Sequence, residues 1–280
     1  MDSVEAFGKV VTYPTKVEEY IILKHLHKRL RPPAAVPKPL CRAVGEYRGV
    51  LTERVDGETL DTLWARGEGP PPELVGEALK ELHKALADLE TPWCRPGTAD
   101  EGDAGEWGTR PCLRAGLAAA LATALGEWAA LDAAEAVLEN CERIGEIARA
   151  NVGSRKQCIH GDLHLGQMIW GNGMLYFTDF SGEPLRWPAP QACAEPPARD
   201  LATLIRSAGY LASAGYLENP GDVIEGLLRG YGWTGRQEQL VFWVIERASY
   251  ELVYELAAGT GLASVASEAL IRVLGSGYPY

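Results

Sequence analysis

The segment from residue 157 to residue 187 constrains the fold of this chain more than any other. It contains two apolar runs, MIWG and MLYF, joined by Asn172-Gly173. An Asn-Gly pair between apolar runs is a strong short-range signal for a two-residue β-hairpin. We therefore predict a hairpin here. It would bring Gln167, which precedes the first run, close to Asp179, which follows the second.

The polar residues around this hairpin have the spacing of a phosphoryl-transfer site. Asp162 precedes Gln167 by five residues, as the catalytic aspartate precedes the metal-binding amide in the kinase pattern H-R-D-x-x-x-x-N. Such an aspartate orients an acceptor hydroxyl, while amide and carboxylate oxygens are hard ligands suited to Mg²⁺. The pattern predicts Asp162 as the catalytic base, Gln167 and Asp179 as ligands of Mg²⁺, and ATP as the phosphoryl donor.

Charge and hydropathy exclude several other classes of function. The chain of 280 residues carries a formal net charge of -11, which is unsuited to a nucleic-acid-binding surface rich in lysine and arginine. The N-terminal residues lack the pattern of a signal peptide, and no run approaches the length of a membrane helix. We expect a cytoplasmic protein with a small-molecule substrate and no nucleic-acid or membrane partner. The sequence does not indicate an oligomeric state.

The six cysteines are scattered without CxxC pairs. In a chain of this size, that distribution predicts buried free thiols and neither a disulfide framework nor a zinc ribbon, with a disulfide left open for a thermophilic source. The cysteines are Cys41, Cys94, Cys112, Cys141, Cys158 and Cys193.

Apolar periodicity predicts the remaining elements. Helical spacing favours helices over 16–30 and 73–90, and the runs LCRAVGEY and GVLTERV suit an antiparallel strand pair. The Pro-, Gly- and acid-rich stretch 91–111 reads as a loop. Residues 113–150 read as two helices divided at Gly126, and at least three helices follow residue 200.

Several of these motifs resemble one known family. HGDLHLGQ resembles the catalytic loop of aminoglycoside phosphotransferases and choline kinases, and glutamine in place of the usual asparagine is typical of maltokinases. DFSGEP is similar to the maltokinase DFEGEP. The runs ARDLATLIRSAGYLA and ERASYELVYE resemble the family's RDVAGMLRSFDYAA and KAVYEVVYE. The chain is thus identified as a maltokinase-like member of the aminoglycoside phosphotransferase and protein-kinase-like superfamily.

The resemblance implies an α+β, two-lobed protein-kinase-like fold. Residues 1–55 would form a reduced N-terminal lobe and hinge, and residues 56–280 a mainly helical C-terminal lobe with the catalytic loop and metal-binding hairpin. Only about 50 residues precede the hinge, whereas five strands and a helix need roughly 65. The chain contains no GxGxxG motif. We therefore expect the first two strands and their glycine-rich lid to be shortened or absent.

The resemblance also implies where ATP binds. GVLTERVDGETL resembles the hinge between the lobes, so that Glu53, Arg54 and Val55 would offer backbone groups to adenine. Lys9 in FGKVV would then contact the phosphates, with Glu18 or Glu19 as its ion-pair partner. A lysine near a terminus is commonly solvated, which is the alternative for Lys9.

Acceptor-binding residues follow from the same resemblance. The predicted set consists of His164, Glu183, Tyr250, Glu251, Tyr254 and Glu255, with Trp170 and Trp187 as candidate sugar platforms. Core packing and a charged surface are the alternative for the Tyr-Glu stripe. For Glu183, a metal contact or a loop-anchoring carboxylate is the alternative. His160 and Asp200 are assigned to structural support, and for Asp200 helix capping is equally open.

Three hypotheses of function remain. The first is an ATP-dependent sugar kinase, acting on maltose to give maltose 1-phosphate or on a related sugar or amino sugar. The second, motivated by the missing glycine-rich lid, is a non-catalytic protein of kinase fold that binds nucleotide or sugar. The third is a metallohydrolase that uses His160, Asp162 and His164 as a metal cluster.

Overall fold

The computed structural model describes residues 6–11, 16–43, 48–91, 94–184 and 194–279. For residues 6–11, 16–18, 43 and 48 the description covers the backbone alone. Trp187 and Cys193, both singled out in the sequence, lie outside the described residues.

The described chain contains nine strands and ten α-helices. The strands are β1 (Ala6–Val11), β2 (Ala34–Ala35), β3 (Pro39–Ala43), β4 (Arg48–Glu53), β5 (Glu58–Thr59), β6 (Gly97–Thr98), β7 (Arg155–Lys156), β8 (Met168–Gly171) and β9 (Met174–Phe177). The helices are α1 (Lys16–Arg29), α2 (Leu60–Ala65), α3 (Pro72–Leu86), α4 (Glu101–Leu125), α5 (Trp128–Glu139), α6 (Cys141–Ala148), α7 (Ala198–Ser213), α8 (Pro220–Tyr231), α9 (Gln237–Ala258) and α10 (Ala263–Ser276), with 3₁₀ turns at Arg149–Asn151 and Leu165–Gln167.

The chain divides into two compact units. Unit 1 comprises residues 1–96, 157–195 and 222–233, and unit 2 comprises residues 97–156, 196–221 and 234–280. Each unit is therefore assembled from three separate stretches of the sequence. The lobe boundary at residue 55 that the family resemblance implies stays a prediction.

Unit 1 holds two small sheets. In the first, the order is β1-β4-β3 with both pairings antiparallel, and Lys9 lies opposite Val50. This confirms the predicted antiparallel pair of β3 and β4. The second sheet has the order β2-β9-β8-β5, and β8 and β9 form the predicted hairpin. Positive φ angles at Asn172 (53°) and Gly173 (72°) give the turn the left-handed conformation that an Asn-Gly pair adopts readily.

Close backbone contacts hold this hairpin against the chain that follows β4. A Cβ atom on Gly171 would lie 2.1 Å from the carbonyl oxygen of Asp56, and one on Gly57 would lie 2.4 Å from that of Trp170. Neither position has room for a side chain, so glycine is required for the two segments to meet. The pairing of β5 with β8 then fixes the hairpin beside the end of β4.

Unit 2 is built around α9, whose residues from Leu240 to Val253 are all buried. Trp243 is fully buried, packs on Trp107 with ring centroids 5.2 Å apart, and donates a hydrogen bond to Asn151. Burial on every side of a helix normally calls for apolar residues, yet α9 also carries Glu246 and Glu251. Arginines pair with both carboxylates, as buried charges require.

Two stretches differ in their helices from the prediction, and α3 ends at Leu86, before the predicted end at residue 90. The stretch 91–111, predicted as a loop, is helical from Glu101, because Asp100 and Asp103 form a capping box that starts α4 and Lys156 bonds the Asp103 carboxylate. Pro111 lies inside this helix. The 113–150 stretch ends its first helix at Gly126 as predicted, but it then forms both α5 and α6.

The prediction of buried free thiols is wrong for the five described cysteines, because four form disulfides and the fifth is exposed. Cys94 pairs with Cys158 in unit 1, and Cys112 pairs with Cys141 in unit 2, with Cα–Cα distances of 5.8 and 5.9 Å. These distances suit disulfides, and they join positions 64 and 29 residues apart that only the tertiary fold brings together. Cys41 is a free, exposed cysteine.

Within the described residues, no helix combines the length and the apolar character that crossing a lipid bilayer demands.

Candidate functional site

A cavity of about 510 Å³ in unit 1 gathers residues from both small sheets and α1. A volume of this size is typical of small-molecule sites. The lining residues are Glu19, Leu23, Pro37, Val50, Thr52, Glu53, Arg54, Val55, Gln167, Ile169, Thr178 and Asp179. Six of them were predicted from the sequence: the three hinge residues, the two Mg²⁺ ligands and Glu19, one of the two candidate partners of Lys9.

The two ends of the hairpin form the polar wall of this cavity. Gln167 immediately precedes β8, and Thr178 and Asp179 immediately follow β9. Thr178 N and Oγ1 both donate to the Gln167 carbonyl oxygen, at 2.9 and 3.0 Å, which closes the open end of the hairpin. The Gln167 amide nitrogen consequently lies 3.4 Å from Asp179 Oδ2.

Asp179 has an unusual backbone conformation. Its φ angle is 58°, in the left-handed region that non-glycine residues rarely occupy. Such a conformation persists only where its surroundings enforce it, and it is common at functional sites. Here Gln167 and the hydroxyl of Ser181 both donate to the carboxylate, which directs it toward Gln167.

His160 supports the loop that carries Asp162. Its Nε2 bonds the carbonyl oxygen of Thr178 at 2.8 Å, and its Nδ1 accepts from the backbone N–H of Asp162 at 3.4 Å. The ring is fully buried against Phe180, with centroids 4.6 Å apart. Because both ring nitrogens are engaged, these contacts favour the structural role over metal binding. Among the residues described, no three His, Cys, Asp or Glu side chains form a metal-binding group.

The remaining loop residues differ in burial. Asp162 and His164 are half-buried, and the backbone N–H of His164 bonds the carbonyl oxygen of Asp162. Glu183 is only 2% exposed. Trp170 lies half-buried on β8, opposite Glu58 of β5.

The residues predicted to bind phosphate are described in part. Lys9 lies on β1, and its side chain, like that of Glu18, falls outside the described side chains. Glu19 is 5% exposed and lines the cavity. Of the two glutamates proposed as partners of Lys9, Glu19 is therefore the one seen to face the cavity.

The acceptor residues predicted from the Tyr-Glu stripe lie on α9 in unit 2. Glu251 is buried between Arg206 Nε at 2.9 Å and Arg247 Nε at 3.0 Å. The Tyr250 ring is 4% exposed and stacks on that of Tyr254, with centroids 6.1 Å apart. Tyr254 itself is 39% exposed.

Glu255 has a different environment from Glu251. Its carboxylate accepts hydrogen bonds from two hydroxyl groups, those of Tyr210 and Thr260. Burial, with the charges of Glu251 and Glu255, raises the pKa of Tyr210 well above its usual range, so that its hydroxyl stays protonated and donates.

Asp200 is fully buried in the first turn of α7 in unit 2. The capping alternative is wrong, because the helix begins at Ala198 and its N-cap residue is Pro197. A carboxylate in the first turn still interacts favourably with the helix dipole.

The donor set at the hairpin fits magnesium. Gln167 and Asp179 offer an amide oxygen and carboxylate oxygens on one cavity wall, which are the ligand types that Mg²⁺ prefers. In the described conformation the Gln167 amide nitrogen faces Asp179 and its Oε1 lies 3.4 Å from Thr178 Oγ1. A half-turn of the carboxamide exchanges these atoms, so the fit requires no movement of the backbone.

Sequence reasoning missed Thr178 and Ser181. Both are small hydroxyl residues beside Asp179, and only their hydrogen bonds to Gln167 and Asp179 reveal their part in shaping the site. It also missed the apolar cavity walls Leu23, Val50 and Ile169, which have no sequence signal that separates them from core residues.

With this geometry established, comparison with known proteins identifies the family. Residues 9–241 match the model of the phosphotransferase enzyme family called APH. The chain belongs to this family. The match covers well over half of the chain and includes the predicted hinge, the predicted catalytic loop and the hairpin. It confirms the predicted superfamily.

One curated relative is the glucosamine kinase of Mycolicibacterium smegmatis, 33% identical over 189 residues. The matched region is 63% of this chain and 43% of the relative, so the chain spans less than half the length of that protein.

Solved structures show the same fold. A glucosamine kinase structure superposes with a TM-score of 0.72 at 19% identity, covering 97% of this chain and 73% of that one. Glucosamine kinase in complex with glucosamine, ADP and inorganic phosphate gives 0.71 at 18%, covering 96% and 72%. The apo form of a thermostable mutant of aminoglycoside phosphotransferase APH(4)-Ia gives a TM-score of 0.58 at 13% identity, covering 97% of this chain and 87% of that one. These likenesses confirm the predicted α+β kinase-like fold.

Proposed function

We propose that this protein transfers the terminal phosphoryl group of ATP to a hydroxyl group of a sugar. One observation carries the proposal: the predicted hinge residues 53–55 and the predicted metal ligands Gln167 and Asp179 line one cavity within unit 1. Nucleotide binding requires both groups of residues. The base needs an edge of backbone groups, and the metal that accompanies the phosphates needs hard oxygen ligands.

In this proposal four elements bind the nucleotide: β4, β1, α1 and the hairpin. The end of β4 faces adenine, with Val50 and Ile169 as apolar walls. Lys9 and Glu19 serve the phosphates from β1 and α1. Gln167 and Asp179 hold Mg²⁺, which when bound neutralises charge on the phosphate oxygens.

Asp162 is the proposed catalytic base. It would orient the acceptor hydroxyl and accept its proton as the phosphoryl group is transferred. His160 is a positioning residue for Asp162. Its ring accepts from the Asp162 backbone N–H and also bonds the carbonyl oxygen of Thr178, the residue that closes the hairpin. These two bonds hold the loop of Asp162 against the hairpin.

The acceptor we favour is an amino sugar, with glucosamine ahead of maltose. The curated relative is named a glucosamine kinase, whereas maltose rests on the resemblance of HGDLHLGQ and DFSGEP to maltokinase motifs. Glu255 is the α9 carboxylate best suited to bind an ammonium group, because its two described partners are neutral hydroxyls, while Glu251 is paired with two arginines. His164, Glu183, Tyr250 and Tyr254 remain proposed acceptor contacts.

The test is release of ADP from ATP and Mg²⁺ in the presence of glucosamine, maltose, glucose, trehalose or an aminoglycoside. The Asp162→Asn protein is assayed in parallel, and ADP binding is measured separately for both proteins. Turnover on a sugar that disappears in Asp162→Asn, with ADP binding retained, is the expected result.

Two other results separate the alternatives. ADP binding without turnover on any acceptor would favour a non-catalytic nucleotide-binding protein. Absence of ADP binding in the wild-type protein would contradict the proposed function altogether.

A further inference from the structure

Unit 1 contains a second concavity, a groove of about 490 Å³ on the other side of α1 from the nucleotide cavity. Glu19 and Leu23 of this helix line the nucleotide cavity, whereas Tyr20 and Lys24 line the groove. The full lining, which we name the basic groove, is Tyr20, Ile21, Lys24, His25, Lys28, Arg29 and Arg42.

The basic groove is unusual for a chain with a net charge of -11. Lys24, Lys28, Arg29 and Arg42 place four cationic side chains around one concavity, and all four residues are exposed. Within the part of the chain that the structure describes, no carboxylate lies within the 4.0 Å of an ion pair from any of these four groups. Cationic groups gathered around one concavity create a local positive potential that attracts anions.

Neighbouring groups hold two of these arginines in place. The guanidinium of Arg42 and the ammonium of Lys24 lie 6.0 and 5.9 Å from the centre of the Tyr20 ring, within cation–π range. Arg29 donates to His25 Nδ1 at 3.1 Å, and His25 Nε2 bonds the carbonyl oxygen of Ala85 at 2.8 Å. The groove is thus partly organised before any ligand binds, which reduces the entropy cost of binding.

The histidine does not add a fifth charge at neutral pH. Burial, and after it the charge of Arg29, lowers the pKa of His25 below its ordinary value, although the Ala85 carbonyl and Asp88 oppose this. The neutral ring accepts from Arg29 at Nδ1 and donates to Ala85 at Nε2, as both hydrogen bonds require.

We propose that the basic groove is a second binding site, distinct from the nucleotide cavity, for a small phosphorylated compound. Lys24 and Lys28 are one helical turn apart, about 6 Å along the axis, which suits the oxygens of one or two phosphoryl groups. Arginine forks bind phosphate oxygens in pairs, and the groove has the volume of a metabolite site. The site does not depend on the proposed activity.

The experiment is calorimetric titration of the full chain with inorganic phosphate, pyrophosphate, glucose 6-phosphate and hexaglutamate, each with and without saturating ADP and Mg²⁺. The test variant is Lys24→Glu with Lys28→Glu. The matched control is Lys80→Glu with Lys84→Glu, which makes the same charge change at the same spacing on exposed positions of α3 in the same unit.

We expect at least one of the phosphorylated probes to bind the wild-type protein in the presence of ADP. Its affinity should fall about tenfold or more in Lys24→Glu/Lys28→Glu and change by less than about twofold in the control. If glucose 6-phosphate binds more tightly than pyrophosphate, the ligand class is a sugar phosphate. If pyrophosphate binds more tightly, the ligand class is a diphosphate.

Three results would overturn the proposal. They are the absence of binding by every phosphorylated probe, equal affinity in the wild-type and Lys24→Glu/Lys28→Glu proteins, and binding of hexaglutamate alone, which would indicate an acidic protein partner. Thermal unfolding of each variant establishes that it is folded before titration.

Discussion

The carboxylates of the hairpin and those of α9 stand in contrasting environments. Asp179 is half-buried on a cavity wall and accepts hydrogen bonds from an amide and a hydroxyl, which are neutral donors. Glu246 is fully buried, with Arg114 at 2.8 Å and Arg199 at 3.5 Å. The position of Asp179 on the cavity wall gives a ligand access to its carboxylate, whereas the arginines around Glu246 tie that carboxylate to the fold of unit 2.

This difference teaches that the acidic residues of one sequence motif need not share one role. Within the run ERASYELVYE, Glu246 and Glu251 have arginine partners, and Glu255 has hydroxyl partners. We therefore expect substitutions at the hairpin to abolish chemistry while the fold persists, and substitutions at Glu246 to act on the stability of unit 2.

The largest effect should follow Asp162→Asn. Loss of the proposed base should lower kcat by about 10²–10⁴, since general-base catalysis contributes that much, while the thermal midpoint and the ADP affinity stay near wild-type values. Steady-state ADP release and thermal unfolding measure the two quantities. Asp132→Asn, at an exposed position of α5, is the control and should change neither. If Asp162→Asn lowered the thermal midpoint together with kcat, Asp162 would have a structural role instead.

The second largest effect should follow Glu246→Gln. The substitution leaves buried arginines without their counter-charge, so the free energy of unfolding should fall by about 3–5 kcal/mol. Denaturant unfolding checks this, with Glu135→Gln at an exposed site of α5 as the control, expected within about 0.5 kcal/mol of wild type. If Glu246→Gln kept its stability but lost activity, Glu246 would serve function and not stability, which would contradict the prediction.

The two disulfides allow a direct comparison between the units. Removing Cys94–Cys158 or Cys112–Cys141 by paired serine substitutions should lower the free energy of unfolding by about 2–4 kcal/mol. Unit 1 should lose about 0.7 kcal/mol more than unit 2, because its disulfide spans 64 residues and the other spans 29. Denaturant unfolding measures both variants. If all six cysteines are alkylated in protein that was never treated with a reductant, the two disulfides do not exist.

A smaller effect is expected at Thr178. Thr178→Val keeps the backbone bond to Gln167 but removes the hydroxyl, a loss of about 0.5–1.5 kcal/mol that should raise the Mg²⁺ concentration for half-maximal activity about two- to tenfold. Thr123→Val removes a comparable hydroxyl-to-backbone bond within α4 and should leave the Mg²⁺ dependence unchanged. An unaltered Mg²⁺ dependence in Thr178→Val would separate this hydroxyl from the metal site.

The parts of the fold that local sequence determines were predictable. Asn172-Gly173 between apolar runs specifies the hairpin, and helical apolar spacing indicates the presence of α3. The start of α4 was not predictable from composition, because its glycines and acids resemble a loop until Asp100 and Asp103 are seen to cap each other. Disulfide pairing was missed because it depends on positions that meet only in the folded chain.

The candidate site shows the same division. The hairpin predicted that Gln167 and Asp179 lie close together, and their side chains are 3.4 Å apart. The phosphoryl-transfer roles of Asp162, Gln167 and Asp179 stay predictions. The hydroxyls that bond Gln167 and Asp179, the apolar cavity walls and the arginine partners of Glu251 depend on contacts between segments far apart in the chain. No local pattern encodes those contacts, and the structure was needed to find them.

The most direct test of the central claim is calorimetric binding of ADP in Mg²⁺ and in EDTA to the wild-type, Asp179→Asn and Glu251→Gln proteins. If the unit 1 cavity binds nucleotide and metal together through Asp179, Mg²⁺ should strengthen ADP binding to the wild-type and Glu251→Gln proteins and have no such effect on Asp179→Asn. An Asp179→Asn protein that keeps the full Mg²⁺ enhancement would contradict the account.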